Sequence, residues 1–132
     1  RLTLCLPLDT DACGLQVFTQ DFRVSRKLSD DAKKLEQEFI VEVSGTLQAH
    51  GLKRLAHGLN FRGKPLAPCK VSWQNETRLR FALKNPLPGQ LRHMCESVGL
   101  TVISLKRIRI GGVSMGKLGN AEWRYLAGKE KF

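Results

Sequence analysis

The chain has 132 residues, 42% apolar and 26% charged, a composition that suits one globular domain with its own core and excludes a disordered or fibrous chain. Lys and Arg number 22 against 12 Asp and Glu, and the net charge of +10 points to a polyanionic partner, nucleic acid first. No apolar stretch approaches the roughly 18 residues of a membrane span and no basic-then-apolar leader is present, so a cytoplasmic protein without a membrane partner is expected.

From the start of the chain, Leu2, Leu4, Leu6 and Leu8 share one face of an extended segment and Cys5 lies on the other, so the run before Asp9 reads as a buried strand. On these residues alone, an aspartate ahead of Gly14 is a turn former that bonds its own backbone. "LQVFTQD" is a short strand and "DFRVSRKLSD" a two-turn helix. In "EFIVEVSG", Phe39, Val41 and Val43 alternate with Glu38, Ile40 and Glu42, which predicts a half-buried strand ended by Gly45. "TLQAHGLKRLAHG" has helical spacing at Leu47, Leu52, Leu55 and Ala56, with Thr46 as its cap and Gly58 as its stop. "CKVSWQNETRLRFALK" has the pattern of a hairpin turning at Asn75. "NPLPGQLRHMCESVG" opens on turn residues and continues as a helix that buries Leu91, Met94, Cys95 and Val98 and presents Gln90, Arg92 and His93 in its first turn. In "LTVISLKRIRIGG", alternation puts Leu105, Arg107 and Arg109 on one side of a strand.

Strands and helices mix without βαβ regularity, so the expected fold class is α+β: a single domain over 1–132 with a largely antiparallel mixed sheet and helices packed on one face. Cys5, Cys13, Cys69 and Cys95 stand far apart with no C-x-x-C pair and read as core thiols, which leaves no support for a metal. His50 and His57 have no acidic neighbour close by and read as surface or interface residues, not ligands. Residues 78–132 hold eleven Lys or Arg against three Glu, a net of +8, whereas the first 77 residues carry only +2. The nucleic-acid contact is therefore expected mainly on the C-terminal stretch.

The segments "PLDTDACGL", "LEQEFIVEV", "GQLRHMCESVG", "LKRIRIGGVSM" and "EWRYL" resemble, in order, the motifs of the bacterial ribosomal-RNA pseudouridine synthases, in the branch that bears an S4 domain. Residues 89–126 are the most specific part of the match. The resemblance implies a catalytic domain whose N-terminal portion and S4 domain are missing, and an open sheet edge there would favour self-association, the oligomeric state being otherwise unread. It also implies an enzyme that isomerises a uridine of structured, ribosomal RNA to pseudouridine with an aspartate and no cofactor. Asp9 maps onto the catalytic carboxylate and Arg92 onto its basic partner, with Phe39 and Leu91 against the base. Arg107, Arg109 and Arg124 become RNA-backbone contacts or supports of the fold. Three positions depart from the family pattern: Pro7 stands where it has arginine, Phe39 where it has tyrosine, and "NPLPGQ" replaces its polar run. These departures give the alternative, an inactive RNA-binding protein of the same fold.

Overall fold

Alternation of apolar and charged residues in "EQEFIVEV" makes the strand about which the sheet is organised. The computed structural model describes residues 3–5, 8, 12–19 and 22–114; Pro7, Asp9, Asp11 and Arg124 lie outside them. In chain order the elements are β1 (Thr3–Cys5), β2 (Ala12–Gly14), β3 (Val17–Thr19), α1 (Phe22–Asp31), β4 (Glu36–Gly45), α2 (Gly51–Ala56), β5 (Asn60–Phe61), β6 (Lys64–Pro65), β7 (Lys70–Trp73), β8 (Arg78–Lys84), α3 (Gln90–Ser97), β9 (Leu100–Ile110) and β10 (Val113–Ser114). The main sheet runs β10-β9-β4-β8-β7 with every neighbour antiparallel, and β2 joins β9 in parallel. The expected α+β sheet is thus present, with one parallel pair. β1 and β3 form a separate antiparallel pair beside α1.

One face of the main sheet, carrying Phe39, Val41, Val43, Leu79, Phe81, Leu83 and Leu105, closes on Leu55 of α2 and on Leu91, Met94 and Cys95 of α3. These helices therefore lie on one face, as burial of a single apolar sheet surface demands. The hairpin turn is held by Asn75, whose Oδ1 accepts from the backbone N–H of Thr77 and of Arg78 at 2.9 and 2.8 Å.

Three local expectations are corrected. The second helix begins at Gly51, after His50 in the left-handed region and without a side-chain cap, so Thr46 does not cap it. The segment before it is tied elsewhere, through Gln48 N–H to the Val98 carbonyl at 2.9 Å. Gln90 is buried, not presented, because its Oε1 accepts from the Leu87 N–H at 3.0 Å. Cys95 is fully buried and Cys69 half-buried, but Cys13 is exposed; the side chain of Cys5 lies outside the description.

The fourth correction sets the faces of β9. Register passes from Glu38 opposite Arg109 to Phe39 opposite Arg107, and from Glu42 opposite Ser104 to Val43 opposite Val102, so Ile108 and Ile103 are extra residues on β9. Each bulge shifts the alternation by one. Val102, Leu105, Arg107 and Ile110 consequently face the core at uneven spacing, and Arg109 joins the opposite face, away from Arg107.

Candidate active site

Where β4 and β9 pair, Phe39 stands opposite Arg107 on one side and Phe81 on the other. Above this row lies a cleft of 310 Å³, walled by Gln37 and Phe39 of β4, Leu105 and Arg107 of β9, Leu91 of α3, the Asn85–Pro88 loop, and Leu8 and Ala12. Small-molecule pockets run from roughly 300 to 1,000 Å³, so the cleft suits a ligand the size of one nucleoside. Its lining is mainly apolar. Leu8 and Ala12 bracket the positions of Asp9 and Asp11 in the chain. β2 is drawn against β9 through Gly14, whose φ of +105° and approach to the Arg107 carbonyl leave no room for a Cβ. The N–H of Leu15 also bonds that carbonyl, at 2.7 Å. The chain that follows Asp9 is thereby pinned to the strand that carries Arg107.

Arg107 is the one ionisable side chain among the described residues that line the cleft, and it is 2% exposed. Its Nε–H donates to the Leu15 carbonyl at 2.9 Å and an Nη1–H to Oε1 of Gln37 at 3.2 Å. Nη2 is the one buried side-chain nitrogen or oxygen among the described residues without a hydrogen-bond partner. Burial lowers the guanidinium pKa from 12.5 to about 10, so it stays charged at neutral pH.

Arg109, on the far face, has a different environment. Nε donates to Glu38 at 2.9 Å, Nη1 to the Gly111 carbonyl at 2.6 Å, and Nη2 to Glu36 at 2.5 Å. Arg80 takes the other oxygen of Glu38 at 2.8 Å and Arg78 reaches Glu42, so the acidic residues of β4 pair with arginines of both neighbouring strands. Burial pushes the Glu38 carboxyl up, but the hydrogen bonds from Arg80 and Arg109 outweigh it and hold the group below its usual range. Being paired, Arg109 supports the fold, as does Arg107, and neither stands as a free cation for a phosphate.

The structure thus brings together Phe39, Leu91 and Arg107 and separates Arg109 from them. Arg92 is half-buried on α3 next to Leu91. Gln37 and Leu105 also line the cleft and were not singled out in the sequence; their signal is parity, two residues before Phe39 and two before Arg107. Among the described residues no group of three His, Cys, Asp or Glu is placed to hold a metal ion, and no helix is long and apolar enough to cross a membrane.

The architecture matches a solved structure of a pseudouridylate synthase with a TM-score of 0.84 over 96% of this chain and 56% of that one, at 22% identity. The sequence is 30% identical over 123 residues to a dual-specificity RNA pseudouridine synthase of Escherichia coli strain K12, covering 93% of this chain. In sequence and in fold the chain is similar to the RNA pseudouridine synthases. It is also 27% identical to ribosomal large subunit pseudouridine synthase B of Yersinia pestis over 90% of its length, and 32% identical to a putative chloroplastic ribosomal large subunit pseudouridine synthase of Arabidopsis thaliana over 80%. It spans 42% of the Escherichia coli protein and 39% of the Yersinia one. No protein-family profile matches the chain.

Proposed function

We propose that these 132 residues form a single catalytic domain of an RNA pseudouridine synthase that isomerises a uridine of structured, ribosomal RNA in the cleft at Phe39, Leu91 and Arg107. The observation that carries this reading is the cleft itself: a nucleoside-sized, mainly apolar space with one buried cation, bounded by the residues that bracket Asp9. In the reaction the N1–C1′ bond breaks, the base turns, a C5–C1′ bond forms, the C5 proton leaves to solvent and N1 gains one. Atoms and electrons balance without an oxidant or metal. One ionised carboxylate, Asp9, serves as nucleophile at the sugar or as acceptor of a sugar proton, and Arg92 keeps it ionised and oriented.

An extruded uracil needs a ring to stack on and a donor for its carbonyl. Phe39 is 5% exposed, which fixes its ring, and Leu91, also 5% exposed, closes the other side of the space. Arg107, charged and buried in the wall of the cleft, supplies a positive field that favours the carbonyl oxygens of the base.

The test is tritium release from ribosomal RNA transcripts labelled at uridine C5. The wild type is expected to release tritium and Asp9→Asn to release none while still binding RNA. Asp11→Asn, equally acidic and two residues on, is expected to lose far less. Equal release by wild type and Asp9→Asn refutes the assignment. Pro7, in place of the family's arginine, favours the second reading, an RNA-binding protein that no longer modifies. RNA binding without release by the wild type, restored by Pro7→Arg, is the outcome which that reading expects.

A further inference from the structure

We infer that the RNA strand flanking the target base is held by the segment from α2 to β7, through Lys53, Arg54, Arg62, Lys64 and Lys70. The inference rests on the proposed RNA substrate and adds the surface that receives it. Residues 43–75 contain these five Lys or Arg and not one Asp or Glu. All five are exposed, and none forms an ion pair among the described residues. The arginines of the sheet are in the opposite condition: Arg78, Arg80 and Arg109 are neutralised by Glu42, Glu38 and Glu36, and Arg107 is buried. Affinity for a polyanion comes from cations that exchange their counterions for phosphates, and a cation already matched by a carboxylate has few to release.

Position points the same way. The segment is one unit, closed by the Leu66 N–H to the Leu59 carbonyl and the Cys69 N–H to the Ala56 carbonyl, both at 2.9 Å. Its β5–β6 hairpin turns through Arg62 and Gly63 at φ of +53° and +78°, the two-residue turn that favours Asn-Gly. An arginine there sits in a strained backbone region, and such strain collects at ligand-holding positions. The Arg62 guanidinium lies 4.9 Å over the Phe61 ring and donates through Nη2 to the Pro88 carbonyl at 3.5 Å, on the wall of the cleft. His93 of α3 fastens the base of the hairpin through Nε2 to the Asn60 carbonyl at 2.9 Å. A strand bound along the hairpin therefore arrives at the mouth of the cleft, where a flipped uridine enters.

The experiment compares two variants of equal charge loss in the full chain. One carries Lys53→Gln, Arg54→Gln, Arg62→Gln and Lys64→Gln; the other carries Arg26→Gln, Lys27→Gln, Lys33→Gln and Lys34→Gln on and after α1. Affinity for an unmodified ribosomal RNA transcript is titrated across salt. The first variant is expected to flatten the plot of log K against log salt by about 0.7 to 0.9 for each phosphate that it no longer neutralises, and to bind roughly 10-fold more weakly near physiological salt. The second is expected to keep the wild-type slope. Equal flattening in both, or none in the first, overturns the inference. Arg62→Gly, which suits the left-handed turn and so keeps the fold, is expected to weaken binding without lowering the melting temperature, and unweakened binding would remove the hairpin tip from the surface. Tritium release by the wild type, measured on the same transcripts, separates the two readings. Slope loss confined to the first variant without any release keeps the surface and removes the synthase; release with an unmoved slope does the reverse.

Discussion

Replacing Arg107 by methionine removes a buried charge and two hydrogen bonds together, and the two effects oppose each other. The fall of the guanidinium pKa from 12.5 to about 10 corresponds to a burial penalty of roughly 3 kcal/mol, which the variant recovers. Against it stand the bonds to the Leu15 carbonyl and the Gln37 amide, at about 1.5 to 3 kcal/mol each for a charged donor. Their loss also leaves both acceptors unpaired. The balance is a destabilisation of about 0–3 kcal/mol, which lowers the melting temperature by up to roughly 10 °C in a chain of this size. Arg107→Lys is the sharper comparison: it keeps the charge and its burial penalty but cannot span both acceptors, so it should melt below Arg107→Met. Thermal unfolding followed by circular dichroism reads both. In the tritium assay at saturating RNA, Arg107→Met should turn over about 100-fold more slowly, because the cleft loses its buried positive charge. A lysine variant more stable than the methionine one, or a methionine variant with wild-type turnover, refutes this account of Arg107.

Phe39→Leu keeps the core nearly filled, at a cost under about 1.5 kcal/mol, but removes a stacking surface worth about 1–3 kcal/mol; kcat/KM should fall between roughly 5- and 150-fold, and Phe39→Tyr should retain activity. Unchanged kcat/KM in Phe39→Leu would place the base elsewhere. The Cys95 thiol is pushed up to about 12 from 9.0, first by burial and then by Glu96, with Arg92 pulling the other way. Unfolded thiol ionises near 9 and folded thiol does not, so stability is intact below that pH and is lost as pH rises toward 12. Urea midpoints at about pH 8 and pH 10 should show a loss of about 1.4 kcal/mol that Cys95→Ala lacks. An identical pH dependence in both proteins counts against the buried thiol.

Elements governed by local periodicity were legible in the sequence. β4 alternates over eight residues, and the β7–β8 hairpin is announced by Asn75 with its apolar flanks. α3 shows its core side through Leu91, Met94 and Cys95. What failed was governed by partners far along the chain. The spacing of Leu47, Leu52 and Leu55 is helical, yet the first turn is used to bond Val98, so the helix is only six residues long. The faces of β9 turn on two bulges set by its register against β4, and nothing in "LKRIRIG" marks Ile108 as the extra residue. At the cleft, Phe39 and Leu91 were named through resemblance and alternation already set Leu105 beside Arg107, whereas Gln37 was not singled out.

Charge shows the same limit in a form that matters for function. Counting along the chain makes residues 78–132 the basic half and hides 43–75, whose five cations are averaged away by the acidic residues of the segment before it. In the fold those acids leave that neighbourhood: β4 carries Glu36, Glu38 and Glu42 to the face where Arg78, Arg80 and Arg109 wait, and each pairing there subtracts a cation from the C-terminal count. The field that a phosphate meets is set by cations left over after such pairing, and sheet register decides which those are. Among the described residues, sheet pairing leaves the exposed, unpaired cations of 43–75 beside the hairpin that leads to Pro88 and the cleft, so one pattern of strand pairing builds both the pocket proposed for the base and the surface proposed for its flanking strand.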